Sequence, residues 1–397
     1  MIKKILCFTL TGVALTISAA DNVEFNRIAQ QIALNSLAVK ASRLSAQNEA
    51  MQLKSENNLA DPEVEFGYLW GVGATDNKWN ISVSQSFDWP GVYAARRKAI
   101  AAGSKAIEES SRASQLSAVL EAKLAMIDAV NAYKVLQLCR EMNDTICRMY
   151  DATKVGVENG EVSILDLNKM EIERVNSHRE LGNALRAYED CASALRTLNG
   201  GNECGDLLAM LTAYPDEMLE SEESYLAKAL ADDPQVNALR MRSKSDSFMA
   251  DAVKRMNMPG FSVGYTYEHE LPDRWHGITV GLTLPFFSNR HKAKAARLQW
   301  EASGIETQSL VSSISSSIVT DCRKAALLQQ EIATLKPVVQ NEDNYRLLFK
   351  ALKGGQISLI EYLQEAHYFL QAYKDFLETE YLYALTLARL NRQSLLD

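Results

Sequence analysis

The sequence predicts a mixed α/β membrane protein in which each chain gives four β-strands to a barrel shared between subunits and adds long coiled-coil helices. Three observations support this fold class: an internal repeat, two pairs of strictly alternating strands, and helical stretches much longer than those of globular domains. The repeat organises the other two, because each copy holds one strand pair followed by long helices.

Two copies of one pattern follow each other at an offset of 195 to 197 residues. The first copy is residues 21–198 and the second is residues 225–397, and the Gly- and acid-rich segment 199–224 is predicted to connect them. The matching segments are Val39-Lys40-Ala41 with Val236-Asn237-Ala238, Pro62-x-Val64-x-Phe66-Gly67-Tyr68 with Pro259-x-Phe261-x-Val263-Gly264-Tyr265, and Gly160-Glu161-Val162-Ser163-Ile164-Leu165-Asp166 with Gly355-Gln356-Ile357-Ser358-Leu359-Ile360-Glu361.

Apolar and polar residues alternate in four segments, which predicts strands near residues 62–70, 79–89, 260–268 and 276–286. Strands of this length cross a bilayer when tilted, with an apolar outer face and a small, polar lumen face. A soluble sheet with one wet face would show the same alternation. The apolar residues expected to face lipid are Val64, Phe66, Tyr68, Trp70, Ile81, Val83, Phe87, Phe261, Val263, Tyr265, Tyr267, Ile278, Val280, Leu282 and Leu284.

The positions of the aromatic residues favour the membrane interpretation. Four of the five tryptophans are predicted at strand ends, where membrane barrels carry their interfacial girdles. A soluble sheet would bury such side chains instead. The predicted girdle residues are Trp70, Trp79, Trp89 and Trp275, joined by Tyr267, Phe286 and Phe287.

The helical segments are unusually long. Residues 94 to about 155 contain no proline and repeat apolar residues every three or four positions, which predicts a helix of roughly 90 Å. A second such segment passes through Ile314 and Leu335 until Pro337, which is expected to kink the helix or mark a junction. These stripes also fit an ordinary coiled coil, so a surface or periplasmic structural or adhesive protein is the alternative function.

Residues 1–20 have the pattern of an export signal. Lys3 and Lys4 precede an apolar run of about 13 residues, which ends before Ser18-Ala19-Ala20. The run is shorter than the ~20 residues that a membrane-spanning helix needs, and no longer apolar run follows it. Cys7 lies inside the run, so no standard lipid anchor is indicated.

Charge and reactive residues exclude several other functions. Without residues 1–20 the chain has 40 basic and 50 acidic residues, a balance unsuited to nucleic-acid partners. The five remaining cysteines form no C-x-x-C pair and are expected to be free, with a Cys191–Cys204 disulfide as the alternative. The five histidines make no catalytic motif, so neither an enzyme nor a cofactor is expected. A metal site at His269 and His276 is a weaker alternative.

Four strands cannot close a barrel, and lipid offers no hydrogen bonds to an open strand edge. Two, three or four chains would give 8, 12 or 16 strands, and all of these numbers can close. An 8-stranded barrel is filled by its own side chains. An open lumen therefore needs at least three chains.

At this level of detail the sequence resembles the TolC family of outer-membrane efflux proteins. The resemblance lies in the two copies of strand pair and helical hairpin, each hairpin turn with a Gly-x-x-x-x-x-acid segment, and it covers the chain after residue 20. It implies a homotrimer in the outer membrane with its helices in the periplasm, and a passive export duct. It also implies two protein partners: a periplasmic adaptor and an inner-membrane pump. The start of the first strand, Asp61-Pro62-Glu63, is similar to the heavy-metal-efflux branch. The exported substrate is not implied.

The resemblance also implies roles for particular residues. It places Asp166 and Glu361 at the narrow periplasmic entrance of the pore, whereas two solvated acids on helix surfaces are the alternative. Family members often close this entrance with a tyrosine and an arginine, but this chain has Leu352 and Ile357 there, so its closing contacts differ. The residues implied to contact the adaptor are Gly160, Glu161, Val162, Gly355, Gln356 and Ile357.

Overall fold

A computed structural model describes residues 22–72, 76–285, 289, 291–339, 347–348, 350–352 and 354–395. The predicted export signal, Phe286 and Phe287 lie outside this part of the chain. The elements are α1 (Asn22–Asn35), α2 (Leu37–Ser55), β1 (Glu63–Leu69), β2 (Lys78–Phe87), α3 (Pro90–Glu158), α4 (Ile164–Leu198), α5 (Gly205–Met210), α6 (Glu222–Asp232), α7 (Pro234–Arg255), β3 (Gly260–Glu270), β4 (Asp273–Thr283), α8 (Lys292–Val339), α9 (Leu359–Leu390) and a 3-10 helix (Asn391–Leu395).

The chain forms two compact units. The first combines the described residues up to Lys40 with residues 114–229 and the described residues from Ser315 onward. The second combines residues 41–113 with residues 230–314 and contains all four strands. The long helices α3 and α8 contribute residues to both units, so each copy of the repeat is divided between the two.

The four strands form one antiparallel sheet in the order β1-β2-β3-β4, which confirms the predicted mixed fold. The predicted bounds of the last strand were wrong by three residues, since β4 runs from Asp273 to Thr283. The reason is that β3 and β4 continue almost to their shared turn. Trp275 pairs with Glu268, and only Leu271 and Pro272 separate the two strands, whereas the predicted bounds left residues 269–275 between them.

The first long helix is confirmed. α3 is continuous for 69 residues, and it begins at Pro90, whose fixed φ and missing N–H suit the first position of a helix. Pro337 lies inside α8, two residues before Val339, the last residue described in this helix. None of the helices in the described part of the chain is long and apolar enough to cross a membrane.

In the second unit, helices α2, α3 and α7 pack together through small residues. The Cδ2 atom of Leu53 lies directly against Gly103 of α3. From α7, the Ser245 hydroxyl donates to the carbonyl oxygen of Ala99 (2.8 Å). Each of these helices therefore packs one face against another helix of the same chain.

The first unit has an apolar core built from α1, α3, α4 and α9. Segment 199–224 takes part in this core, because it contains α5 and buries Cys204 and Leu211. Other fully buried members of the core are Ile32, Met126, Ile127, Val130 and Leu195. The segment between the two copies is therefore packed structure as well as a connection.

A buried ion pair fastens that segment to α3. Lys123 Nζ lies 2.5 Å from Glu217 Oε1, and the two side chains are 0% and 3% exposed. Nearby, the Tyr381 hydroxyl donates to Asp128 Oδ1 (2.8 Å), and Lys134 pairs with Glu380 (3.0 Å). Sequence patterns did not predict these pairs, since their members are 94 to 253 residues apart.

Candidate functional site

The sheet has one apolar and one polar face, and the strand register aligns both across all four strands. One row across the apolar face joins Val64, Val83, Tyr265 and Ile278. Its neighbour on the polar face is the row Glu65, Ser82, Thr266 and Gly277. Side chains alternate along each strand, and the register runs without a break across the sheet. Each row of paired residues therefore lies on one face, and the two faces stay separate.

The apolar face is exposed in the single chain. Phe66 is 64% exposed, Ile278 77% and Val280 78%. A soluble sheet with one wet face would cover its apolar side with a helix or a second sheet, and here those side chains are open. The exposure therefore favours contact with lipid over the soluble alternative.

Aromatic residues lie at both ends of the sheet on its apolar face. Phe87 and Phe261 stack at the end where the helices attach, with ring centroids 5.3 Å apart. At the hairpin end, Trp79 contacts Tyr267 (5.4 Å) and stacks on His269 (5.6 Å, 12° between planes). These pairs are the arrangement expected at two membrane interfaces.

One predicted girdle residue lies on the wrong face. Trp275 pairs with Glu268 on the polar side, whereas Ile278 and Val280 of the same strand are on the apolar side. Trp275 and Ile278 are three positions apart, and this odd offset already places their side chains on opposite faces of the strand. Trp275 was grouped with Trp79 because the repeat aligns the two tryptophans, and the face of the strand was not considered.

The polar face carries an ionic cluster at its hairpin end that the sequence did not single out. Lys78 forms an ion pair with Glu268 and a second with Glu270 (3.4 Å). The lysine comes from β2 and both acids from β3, so these ion pairs join the two copies of the repeat on the polar face of the sheet. The sequence signal for these ion pairs was a lysine just before the second predicted strand and two glutamates at or just past the end of the third, which are neighbours when the strands pair.

The chain turns between α3 and α4, and the end of α3 forms a Schellman motif there. The N–H of Glu161 donates to Gly156 O (2.8 Å) and the N–H of Gly160 to Val157 O (3.0 Å). Gly160 has a φ of 71°, a conformation that residues with a Cβ rarely adopt. The Ser163 hydroxyl then accepts from the N–H of Leu165 (3.1 Å) and caps α4.

The second turn, before α9, repeats this geometry and adds a capping box. Gly355 has a φ of 68°, and the N–H of Gln356 donates to Ala351 O (2.9 Å). The Ser358 hydroxyl accepts from the N–H of Glu361 (3.2 Å), while Glu361 Oε2 accepts from the N–H of Ser358 (2.7 Å). The bonds from the backbone N–H and the hydroxyl of Ser358 hold the pKa of Glu361 below its usual value.

These turns give the two predicted entrance acids a structural position. Asp166 and Glu361 are each the third residue after a capping serine, so both lie in the first turn of a helix. An acid there interacts favourably with the helix N-terminus. This role was not predicted, although Ser-x-x-acid before an apolar helix is the sequence pattern of a capping box. The predicted tip residues Glu161 and Gln356 are exposed, while Val162 and Ile357 are partly covered.

The cysteines and histidines add no reactive centre in the described part of the chain. Cys139, Cys147, Cys191, Cys204 and Cys322 are all free thiols, so the alternative Cys191–Cys204 disulfide is absent. Among the same residues, no group of three or more His, Cys, Asp or Glu side chains is arranged to hold a metal ion.

The fold is that of TolC-family outer-membrane channels. It matches the Campylobacter jejuni CmeC outer membrane channel with a TM-score of 0.77 and 17% identity, over 93% of this chain and 85% of that one. It also matches the Neisseria gonorrhoeae MtrE outer membrane channel in its open state, with a TM-score of 0.75 and 15% identity, over 93% and 88% of the two chains.

A third match is CusC, whose structures concern folding and transmembrane channel formation, with a TM-score of 0.75 and 13% identity over 98% of this chain and 95% of that one. No family model and no curated protein matches the sequence. These neighbours are channel proteins rather than enzymes, as expected from the sequence.

Proposed function

We propose that the chain is one subunit of a homotrimeric outer-membrane channel that exports solutes passively from the periplasm to the outside. The observation that carries this proposal is the four-stranded sheet with an exposed apolar face. Within the described chain, β1 and β4 each pair on one side only. Lipid cannot satisfy their open edges, so further copies of the chain must do so.

Three copies give a barrel with an open lumen. Eight strands would be filled by side chains, whereas twelve leave space inside. The polar face, with Ser82, Thr266 and Thr279, then lines the lumen, and the apolar face contacts lipid. The resemblance to TolC-family channels supports a passive duct that works with an inner-membrane pump and a periplasmic adaptor.

The two helical turns serve as the periplasmic end. Gly160, Glu161 and Val162 of the first turn, with Gly355, Gln356 and Ile357 of the second, contact the adaptor. Their Schellman and capping bonds support this role, since a rigid tip loses little entropy when it binds.

Asp166 and Glu361 form acidic rings at the entrance, with one copy of each per subunit. Like charges concentrated in a narrow mouth attract cations and repel anions. The capping bonds of Glu361 support this proposal, because a lowered pKa keeps the carboxylate charged in a crowded mouth.

The proposal is tested by fractionating cells that express the full chain and recording the purified protein in planar bilayers. We expect the protein in the outer-membrane fraction and stepwise conductance after reconstitution. A protein recovered from the soluble periplasm, or one that binds bilayers without conducting, would favour a coiled-coil structural protein instead.

A further inference from the structure

We infer that Trp275 forms a binding site for organic cations at the hairpin end of the lumen, with one indole from each subunit. This inference rests on the proposed function, since it requires the polar face of the sheet to line a water-filled barrel. It names a class of solute that the barrel itself holds before release. Selectivity then lies within the barrel as well as at the entrance acids.

Trp275 is an exception on the polar face of the sheet. The other residues of this face in β3 and β4 are glycine, serine, threonine or acids, whereas the aromatic side chain of Trp275 is 62% exposed. The next residue of the face along β4 is Gly277, above which the described chain leaves open space. The polar face of these two strands therefore presents a large apolar side chain at one level only, near the hairpin turn.

The barrel brings the three indoles into one opening. Twelve strands spaced about 4.8 Å apart and tilted by about 40° give a backbone radius of about 12 Å, which leaves room for a solute between the indoles. β4 is an outer strand of the sheet, so each Trp275 lies close to β1 of the next subunit. Leu69 of β1 is on the same face at the same end and is 63% exposed. Each indole therefore has an apolar neighbour that widens the surface on which a solute can stack.

An excess of acids surrounds the indole. Glu268 is the strand partner of Trp275, and Glu270 pairs with Asp273 in the next row toward the turn. Among the described strand residues of this face, Lys78 is the one base, and it forms ion pairs with both glutamates. Three acids therefore face a single positive charge in each subunit.

This combination selects a particular kind of cation. The face of an indole attracts positive charge, and acids in a confined opening raise the local concentration of cations. An organic cation gains from both, because its apolar part stacks on the indole while its charge stays near the acids. A hydrated inorganic cation gains from the acids alone, so the indole favours the organic one.

Tryptophan fluorescence of the full-length protein tests the site. The chain has five tryptophans, and Trp70→Phe, Trp79→Phe, Trp89→Phe and Trp300→Phe together leave Trp275 as the only emitter. The control variant keeps Trp79 and carries Trp275→Phe instead, because Trp79 lies at the same end of the sheet on its apolar face. Both proteins are reconstituted into lipid vesicles and quenched with N-methylpyridinium, which is an aromatic cation, with neutral acrylamide, and with brominated lipid.

We expect N-methylpyridinium to quench Trp275 about two- to fivefold more strongly than acrylamide does, each relative to its effect on free tryptophan amide, which is the range of one exposed cation–π contact. Glu268→Gln with Glu270→Gln should reduce this preference. Brominated lipid should quench Trp79 strongly and Trp275 weakly. Equal quenching of both tryptophans by brominated lipid, or no preference of Trp275 for the cation, would overturn the inference.

Planar-bilayer recording gives a second measurement that keeps the other tryptophans in place. Trp275→Ala should weaken block of the channel by N-methylpyridinium about two- to fivefold, whereas Trp275→Phe, which keeps an aromatic ring, should retain most of the block. A conducting channel whose block is unchanged in Trp275→Ala would refute this inference and leave the proposed function standing. A parent protein that does not conduct would refute both.

Discussion

Placing an arginine on the sheet is the sharpest test of which face meets lipid. Ile278 lies at the middle of β4 on the apolar face and is 77% exposed in the single chain. An arginine near the bilayer midplane of a barrel costs about 2 to 4 kcal/mol. Ile278→Arg should therefore lower the equilibrium constant for folding of each subunit by about 30- to 700-fold, since about 1.4 kcal/mol corresponds to a factor of ten.

The neighbouring residue supplies the control. Thr279 is also exposed, but its side chain is on the polar face, so Thr279→Arg places the same charge in the lumen. Both variants are refolded into lipid vesicles and titrated with urea. We expect Ile278→Arg to lose most of its folded fraction and Thr279→Arg to stay within about 1 kcal/mol of the parent protein. Equal losses, or a larger loss for Thr279→Arg, would refute the assigned orientation.

Other predictions concern the first unit and the turns. Lys123→Met should lower the free energy of unfolding in detergent by about 3 to 5 kcal/mol, because Glu217 stays buried without its partner. Adding Glu217→Gln should recover most of this loss, and no recovery would contradict the pairing. Ser358→Ala should loosen its turn by about 1 kcal/mol, measured by amide hydrogen exchange, and leave ion selectivity unchanged. Asp166→Asn combined with Glu361→Gln should lower cation selectivity in planar bilayers while trimers persist. Unchanged selectivity would mean that both acids lie on a solvated helix surface and not in the pore. Because the folded pKa of Glu361 is lowered, protection of its turn should be complete above pH 4.5 and fall as the pH drops through that lower pKa, and Glu361→Gln should remove this dependence.

The sequence predicted the features that depend on local periodicity. Strict alternation defined the strands and their two faces, and the proline-free apolar repeat defined α3. The glycines of the two turns were found because the repeat aligned them. Their positive φ values explain why glycine occupies both positions.

Other features depend on contacts that periodicity cannot show. The Lys123–Glu217 pair joins residues 94 positions apart, and the extent of the β3–β4 hairpin depends on pairing rather than on the residues of the loop. The division into two units, each built from both copies of the repeat, follows from long helices that contribute to both. Trp275 was predicted as a girdle residue from its position near a strand end, although strict strand parity already placed its side chain on the polar face.

The central claim is that several copies of this chain close one barrel around an open lumen. It is tested most directly by native mass spectrometry of the protein extracted from outer membranes in mild detergent, with conductance recorded from the same particles. The account predicts three chains per particle and an open, cation-selective channel. A single chain per particle, or trimers that insert into bilayers without conducting ions, would contradict it.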